Sequence, residues 1–254
     1  MMDGPLVRVE GLFKFHGQSG DPNAILRDVS FQVEPGEFVC IMGPSGSGKT
    51  TLLHLLSGLD EPSAGTVELG GASLAGLNTR KRTLQRRDQV GYVFQFFNLL
   101  PNLSVRENIL LPLVIAGGAE AKGHAALEEL ARRLSIEARL DAFPHQLSGG
   151  EMQRCSIARA LIGGQPLLLC DEPTGNLSQK AGAEVMDLLR GCVDEKLDGQ
   201  PERSVLLVTH NPRDAACADR VLFLVDGSLA PEAALQGPGL TVEAVHDALK
   251  GLSI

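Results

Sequence analysis

The sequence has no run of eighteen apolar residues, so it predicts no bilayer-spanning helix. Its first residues, Met1-Met2-Asp3-Gly4-Pro5, lack a basic region followed by an apolar one and predict no secretory signal. No C-x-x-C pair occurs among the five cysteines, Cys40, Cys155, Cys170, Cys192 and Cys217. Three of them lie inside apolar or helical runs. They read as small buried thiols of a reducing compartment, rather than as disulfides or metal ligands. Positive charge is short as well, with 23 Lys and Arg against 31 Asp and Glu, a formal net charge of −8. That argues against a general nucleic-acid binder, whose phosphate contacts need a basic surface. No internal repeat is present. What the 254 residues do have is 43% hydrophobic content, enough for one large domain or two small ones.

The organising stretch is Gly43-Pro44-Ser45-Gly46-Ser47-Gly48-Lys49-Thr50. It follows the apolar run 38–42, which reads as a buried strand. It precedes 51–56, whose leucines repeat at helical spacing. Strand, glycine-rich loop and helix in that order are the context of the phosphate-binding pattern G-x-x-x-x-G-K-[ST]. Glycines let the backbone wrap closely around an anion, because a Cβ would block the turn or the phosphate. The N–H groups then point at the anion, and the helix N-terminus adds roughly half a positive charge. In this pattern Lys49 reaches the β- and γ-phosphates of ATP and the Thr50 hydroxyl ligates Mg²⁺. A merely connecting glycine loop is the bland alternative.

Around this stretch the chain alternates short strands with helices. Residues 6–15 and 25–33 read as strands ahead of the glycine-rich loop and suggest a small antiparallel sheet, and 66–69 reads as a further strand. The run Arg80-Lys81-Arg82 with Arg86-Arg87 reads as a solvated helix face; contact with phospholipid headgroups or a partner subunit is the functional alternative. Residues 90–94 form another strand. From 98 to about 165 the pattern turns helical, with Pro112 bending or ending one helix and leucines 127, 130 and 134 on one face of the next. Runs 166–172 and 205–210 are continuous apolar strands separated by a helix, the mark of a parallel sheet covered on both faces. Residues 221–229 form a hairpin and 231–239 a linker. Thr241 caps a last amphipathic helix.

Asp171 and Glu172 end an apolar strand, where ligands of open α/β sheets lie. An Asp there can hold Mg²⁺ and a Glu can polarise an attacking water. In Leu147-Ser148-Gly149-Gly150-Glu151, Ser148 and Glu151 fit a capping box. The box needs no double glycine, and each glycine in a helix costs about 1 kcal/mol relative to Ala. The cost makes sense if a phosphate approaches the bare backbone at Gly149 and Gly150.

Residues 147–151, lying between a P-loop and an Asp-Glu strand, resemble the signature of the ATP-binding cassette family. Gln95 matches its Q-loop glutamine, Asp171 and Glu172 its Walker B aspartate and catalytic glutamate, and His210 its switch histidine. The resemblance covers roughly residues 6–230. It implies an α/β P-loop NTPase fold with a mostly parallel central sheet, a small antiparallel β subdomain and an inserted helical subdomain at about 97–165. The expected division is a cassette at 5–230 and a tail at 231–254.

The resemblance also implies an ATPase. Lys49 and the backbone from Gly43 to Thr51 would bind phosphate, Thr50, Gln95 and Asp171 would serve Mg²⁺, Glu172 would be the general base, and His210 would meet the γ-phosphate. Ser148, Gly149 and Gly150 would act in trans on the nucleotide of a second cassette, most simply a head-to-tail homodimer. Neither half-site alone completes the charge-stabilising cage, so hydrolysis waits for closure.

Two departures stand out. Ser178 replaces the usual D-loop aspartate; it caps a helix as well, but a negative charge at the dimer seam is lost. Phe15-His16 stands where a tyrosine commonly stacks on adenine.

The runs 94–101, 107–113 and 171–177 resemble the subfamily of lipoprotein-releasing, macrolide-efflux and cell-division ATPases. That implies an integral membrane permease as partner, a peripheral place on the cytoplasmic face of the membrane, and no nucleic acid. A groove near Gln95 would receive a short helix of the permease, with Phe96, Phe97 and Leu99 as groove residues or as ordinary packing. Export or extraction of hydrophobic or lipoprotein-like substrates is then the expected work. A non-transport role, as mechanical switch for a periplasmic or cell-wall enzyme, is the alternative. A third reading, a soluble DNA-repair or translation factor, sits poorly with one compact cassette.

Overall fold

A computed structural model describes residues 4–15, 24–117, 120–195, 202–237 and 239–254. His16 lies outside them. The chain opens with β1 (Val7–Phe15) and β2 (Ala24–Val33), which pair antiparallel. β3 (Phe38–Met42) and α1 (Lys49–Leu56) flank the glycine-rich loop. β4 (Ala64–Leu69) and β5 (Ala72–Ser73) return to the first strands, giving an antiparallel sheet of order β2-β1-β4-β5.

The basic run forms α2 (Thr79–Gln89), which buries no residue. Polar donors on its inner side hold it instead. Arg82 donates to the Leu77 carbonyl at 2.9 Å, Gln85 to that of Leu69 at 2.9 Å, and Arg86 to that of Gly58 at 3.2 Å. β6 (Val90–Val93) follows, then the helical block of α3 (Val105–Ile115), α4 (Glu120–Arg133) and α5 (Gly149–Leu161). Val105, Ile109, Leu127, Ala131 and Leu134 are buried together there. α3 runs through Pro112 to Ile115 rather than ending at it; the proline gives up only the one N–H that would bond the Asn108 carbonyl.

β7 (Leu167–Asp171), α6 (Gln179–Asp194), β8 (Ser204–Thr209), the short α7 (Pro212–Ala215) and β9 (Arg220–Val225) complete the main sheet. β3, β6, β7, β8 and β9 are parallel, in order β9-β3-β8-β7-β6. Phe38, Cys40 and Met42 of β3 enter one core, while Val39 and Ile41 enter the other on the opposite face. Period-2 geometry turns an unbroken apolar run into two buried faces.

β10 (Ser228–Leu229) pairs β9 as the hairpin expected from Asp226-Gly227. The stretch expected to be a linker is instead built into the sheet. β11 (Leu235–Gln236) pairs antiparallel with Val221 and Arg220 of β9. α8 (Val242–Gly251) then buries Val245 in the larger core, and Thr241 caps it through the Ala244 N–H. No helix among the described residues is long and apolar enough to cross a membrane.

Because β3, β8 and β7 are adjacent and parallel, their C-terminal ends lie side by side. Met42 pairs with Thr209, and Asp171 with Val208. The glycine-rich loop, Asp171-Glu172 and Thr209-His210 therefore share one edge of the sheet.

Candidate active site

The loop after β3 cannot carry side chains at its tight points. A Cβ on Gly43 would lie 2.1 Å from the Leu224 carbonyl oxygen. Gly48 has φ of +103°, and a Cβ there would meet Leu26 at 2.8 Å. Gly48 is also the N-cap of α1 and has no side chain to satisfy the first-turn N–H groups. Those donors face out of the helix with its positive dipole end behind them, ready for an anion.

Lys49 is buried, and its Nζ donates to the carbonyls of Gly43 at 2.9 Å and Pro44 at 2.8 Å. The ammonium thus rests on the loop that it would leave to reach a phosphate. Burial lowers its pKa, against the pull of Glu172 and Asp171. Thr50 Oγ1 donates to Asp171 Oδ1 at 3.2 Å. Burial raises the Asp171 pKa, the Thr50 hydrogen bond opposes the rise, and the neighbouring Glu172 charge adds to it.

Glu172 is the meeting point. Its Oε1 lies 3.1 Å from His210 Nδ1, and its Oε2 lies 3.5 Å from Gln95 Nε2. Its backbone sits at φ +43°, a left-handed conformation that costs energy for a residue with a Cβ. A cavity of about 340 Å³ opens beside Glu172, Gly175 and His210. The Gln95 carbonyl accepts from Asn176 Nδ2 at 2.9 Å, which ties the glutamine segment to the turn after β7.

Thr50, Asp171, Glu172, Lys49, Gln95 and His210 are thus brought together as the sequence suggested. Ser148, Gly149 and Gly150 stand apart from this group. Ser148 caps α5 and its hydroxyl is engaged with Glu151, at 2.7 Å to the carboxylate and 3.3 Å from the N–H. A Cβ on Gly150 would touch only Ala181 Cβ, at an ordinary 3.5 Å. Packing within the chain therefore does not demand that glycine. Ser178 caps α6 by accepting from Ala181 N at 3.4 Å, so the turn survives without an aspartate. Phe15 ends β1 half-buried, its ring stacked 6.3 Å from Phe13.

The residues expected at a groove divide between the two readings. Phe96 is 70% exposed and Leu99 packs against the core. Nearby, a cavity of about 250 Å³ is lined by Leu59, Tyr92, Phe94 and Pro112, with Arg86, Arg87 and Arg159 around them. Sequence reasoning also missed Asp214, Thr174 and Thr209, whose hydroxyls and carboxylate bond to one another behind His210. The signal was there in Asn211-Pro212, a turn-initiating pair that opens α7 directly after the histidine.

The ABC transporter family profile matches residues 26–175. An uncharacterised ABC transporter ATP-binding protein of Mycobacterium tuberculosis, Rv0986, is 42% identical over 227 residues, 89% of this chain and 90% of that protein. The macrolide export ATP-binding/permease protein MacB of Marinobacter nauticus is 40% identical over 95% of this chain; the chain spans 37% of its length. The pyoverdine export ATP-binding/permease protein PvdT of Pseudomonas fluorescens is 38% identical over the whole chain, which spans 38% of it. Among solved structures, the dimeric post-hydrolysis state of the ATP-binding cassette MJ0796, bound to ADP and Pi, superposes with a TM-score of 0.80 at 35% identity, covering 91% of this chain and 98% of that one. The chain belongs to the ABC transporter family, as one of its ATP-hydrolysing cassettes.

Proposed function

We propose that this cassette pairs head to tail with a second copy and drives a separate integral membrane permease from the cytoplasmic face of the membrane. Its work is export or extraction of hydrophobic or lipoprotein-like molecules. The observation that carries the reading is the placement of Glu172, fixed between Gln95 and His210 at the end of the strand that holds Asp171.

In this reading the backbone from Gly43 to Thr51 and Lys49 Nζ hold the phosphates of ATP. Glu172 takes the proton of the attacking water. His210, with Nδ1 engaged by Glu172, presents Nε2 to a γ-phosphate oxygen. The Thr50 hydroxyl, the Gln95 amide oxygen and the Asp171 carboxylate are hard oxygen donors of the kind that fit Mg²⁺. When bound, Mg²⁺ would neutralise phosphate charge as it develops. The bare backbone at Gly149 and Gly150 is left for a nucleotide on the partner cassette. Adenine stacking falls to Phe15 or His16.

The MacB and PvdT relatives carry export in their names, which favours transport over the mechanical-switch reading. The cavity beside Phe94, apolar and flanked by three arginines, suits an amphipathic helix with an acidic residue. The test is isolation of the tagged cassette from membranes. Recovery of an integral protein that stimulates phosphate release supports the reading. Recovery without any integral partner, with binding to ribosomes or DNA that falls steeply with salt, overturns it.

A further inference from the structure

Behind the Glu172–His210 contact sits a carboxylate that none of the nucleotide motifs contains. Asp214 lies in α7 and is 4% exposed. Its Oδ2 accepts from Thr174 Oγ1, and from Thr209 Oγ1 at 3.5 Å. Its Oδ1 accepts from Asn211 Nδ2 at 3.1 Å. Thr209 and Asn211 are the two neighbours of His210. Thr174 stands two residues after Glu172, and the turn between is closed by Gly175 N–H donating to the Glu172 carbonyl at 3.1 Å. The Asn211 N–H donates to Thr209 Oγ1 at 3.0 Å, which leaves that hydroxyl's proton for Asp214.

A buried carboxylate is costly unless donors surround it, and here they come from both segments that present the reactive pair. His210 needs such support. Its side chain is 62% exposed, so packing does little to fix its ring. The residues on either side of it are held instead.

We infer that Asp214 is a positioning residue for hydrolysis: it clips the turn that carries Glu172 to the strand end that carries His210, and so sets their spacing. The inference rests on reading Glu172 and His210 as the hydrolytic pair. Asp214 touches neither the phosphate loop nor the Thr50–Asp171 contact. Its loss should therefore act on turnover and leave ATP binding alone.

The experiment measures phosphate release, with kcat and KM for ATP, and thermal melting in the whole chain carrying D214V, D214N or T174V. D214V should lower kcat on the order of 10-fold, as small misplacements of reacting groups do, with KM within about 2-fold. D214N should keep most of the activity, because its amide oxygen still accepts and the threonine hydroxyls can turn to accept from its NH₂. T174V should lose kcat as D214V does, and the double variant should lose no more than either, the mark of one shared contact. Wild-type kcat in D214V overturns the inference, as does a D214N as impaired as D214V. If D214V does not fold, T174V decides alone, and wild-type kcat there overturns it. E172Q separates the two readings: full turnover in E172Q removes the pair itself, whereas a dead E172Q beside an active D214V removes only the role of Asp214.

Discussion

Glu172 Oε1 and His210 Nδ1 meet at 3.1 Å across the ends of two neighbouring parallel strands, β7 and β8. The contact exists because each residue directly follows its strand. Glu172 N–H still donates to the Val208 carbonyl at 3.0 Å, one last rung beyond β7. The backbone then turns to φ +43° and aims the carboxylate along the sheet edge. A strained non-glycine residue at the point of chemistry is held by its surroundings, here by the rung on one side and the Gly175 turn on the other.

Replacing Glu172 by Gln keeps the shape and removes the proposed base. Phosphate release should fall by roughly 10²–10⁴-fold, the usual worth of a positioned proton acceptor. ATP should still bind, since Lys49 and the loop are unchanged. Size-exclusion chromatography with ATP should then show a trapped pair of cassettes. Equal turnover in E172Q and wild type would take the role of base away from Glu172.

Gly48→Ala tests the loop. A methyl group there would force a residue with a Cβ to φ +103° and press on Leu26 at 2.8 Å and the Ile25 carbonyl at 3.0 Å. Strain of this kind costs about 1–3 kcal/mol. G48A should melt lower and bind ATP more weakly by isothermal titration. Gly46→Ala has the same backbone problem at φ +83° with open space around it, so its stability loss should be smaller. Equal losses would show that crowding against β2 is irrelevant.

The glycine-rich loop and the Asp171-Glu172 strand end were legible as short local patterns, whereas His210 was singled out only by the resemblance to the cassette family. The parallel sheet was legible for a related reason: runs such as 167–171 and 204–209 have no polar face to leave in water. What stayed hidden depends on contacts between distant segments. Nothing in Asp214 or Thr174 alone says that they meet, since they are far apart in the chain. Leu235–Gln236 looked like linker because two residues carry no periodicity, yet an open edge of β9 gives them a ladder to join. The cavity beside Phe94 stayed hidden for the same reason. Phe94 lines that cavity just past the end of β6, and Arg86 and Arg159 reach it from α2 and α5.

The signature helix should show a pH signature of its own. The Ser148 N–H, the Ser148 hydroxyl and Arg139 hold the Glu151 pKa down at about 2, from an ordinary value near 4.5. A carboxyl whose pKa is lower in the folded chain stabilises it above its ordinary pKa, and that stabilisation fades as pH falls toward the lowered value. Gln at this position can keep the hydrogen bond to Ser148 but does not titrate. The difference in urea midpoint between wild type and E151Q should therefore be steady above about pH 4.5 and shrink toward about pH 2. A difference that stays constant across that window would mean the capping carboxylate carries no such linkage.

Arg159 joins the signature helix to the segment after Gln95. From α5 it donates to the Asn98 carbonyl at 2.6 Å and the Phe97 carbonyl at 2.8 Å. Those two residues sit at φ +50° and +59°, an unusual pair of left-handed positions without glycine. The planar guanidinium is suited to holding two successive carbonyls at once, where an ammonium is not. R159A should lose about 1.5–3 kcal/mol of stability, the worth of hydrogen bonds to a charged donor. Arg159 touches neither Glu172 nor His210, so basal turnover of the cassette should remain within about 2-fold, a change below 0.5 kcal/mol in barrier. In the proposed complex with a permease, stimulation of turnover should fall, because the segment after Gln95 is no longer fixed to α5. R159K should restore stability only in part and coupling poorly. If R159A is stimulated as strongly as wild type, the link between α5 and the glutamine segment transmits nothing, and the two positive φ values are only a feature of the turn.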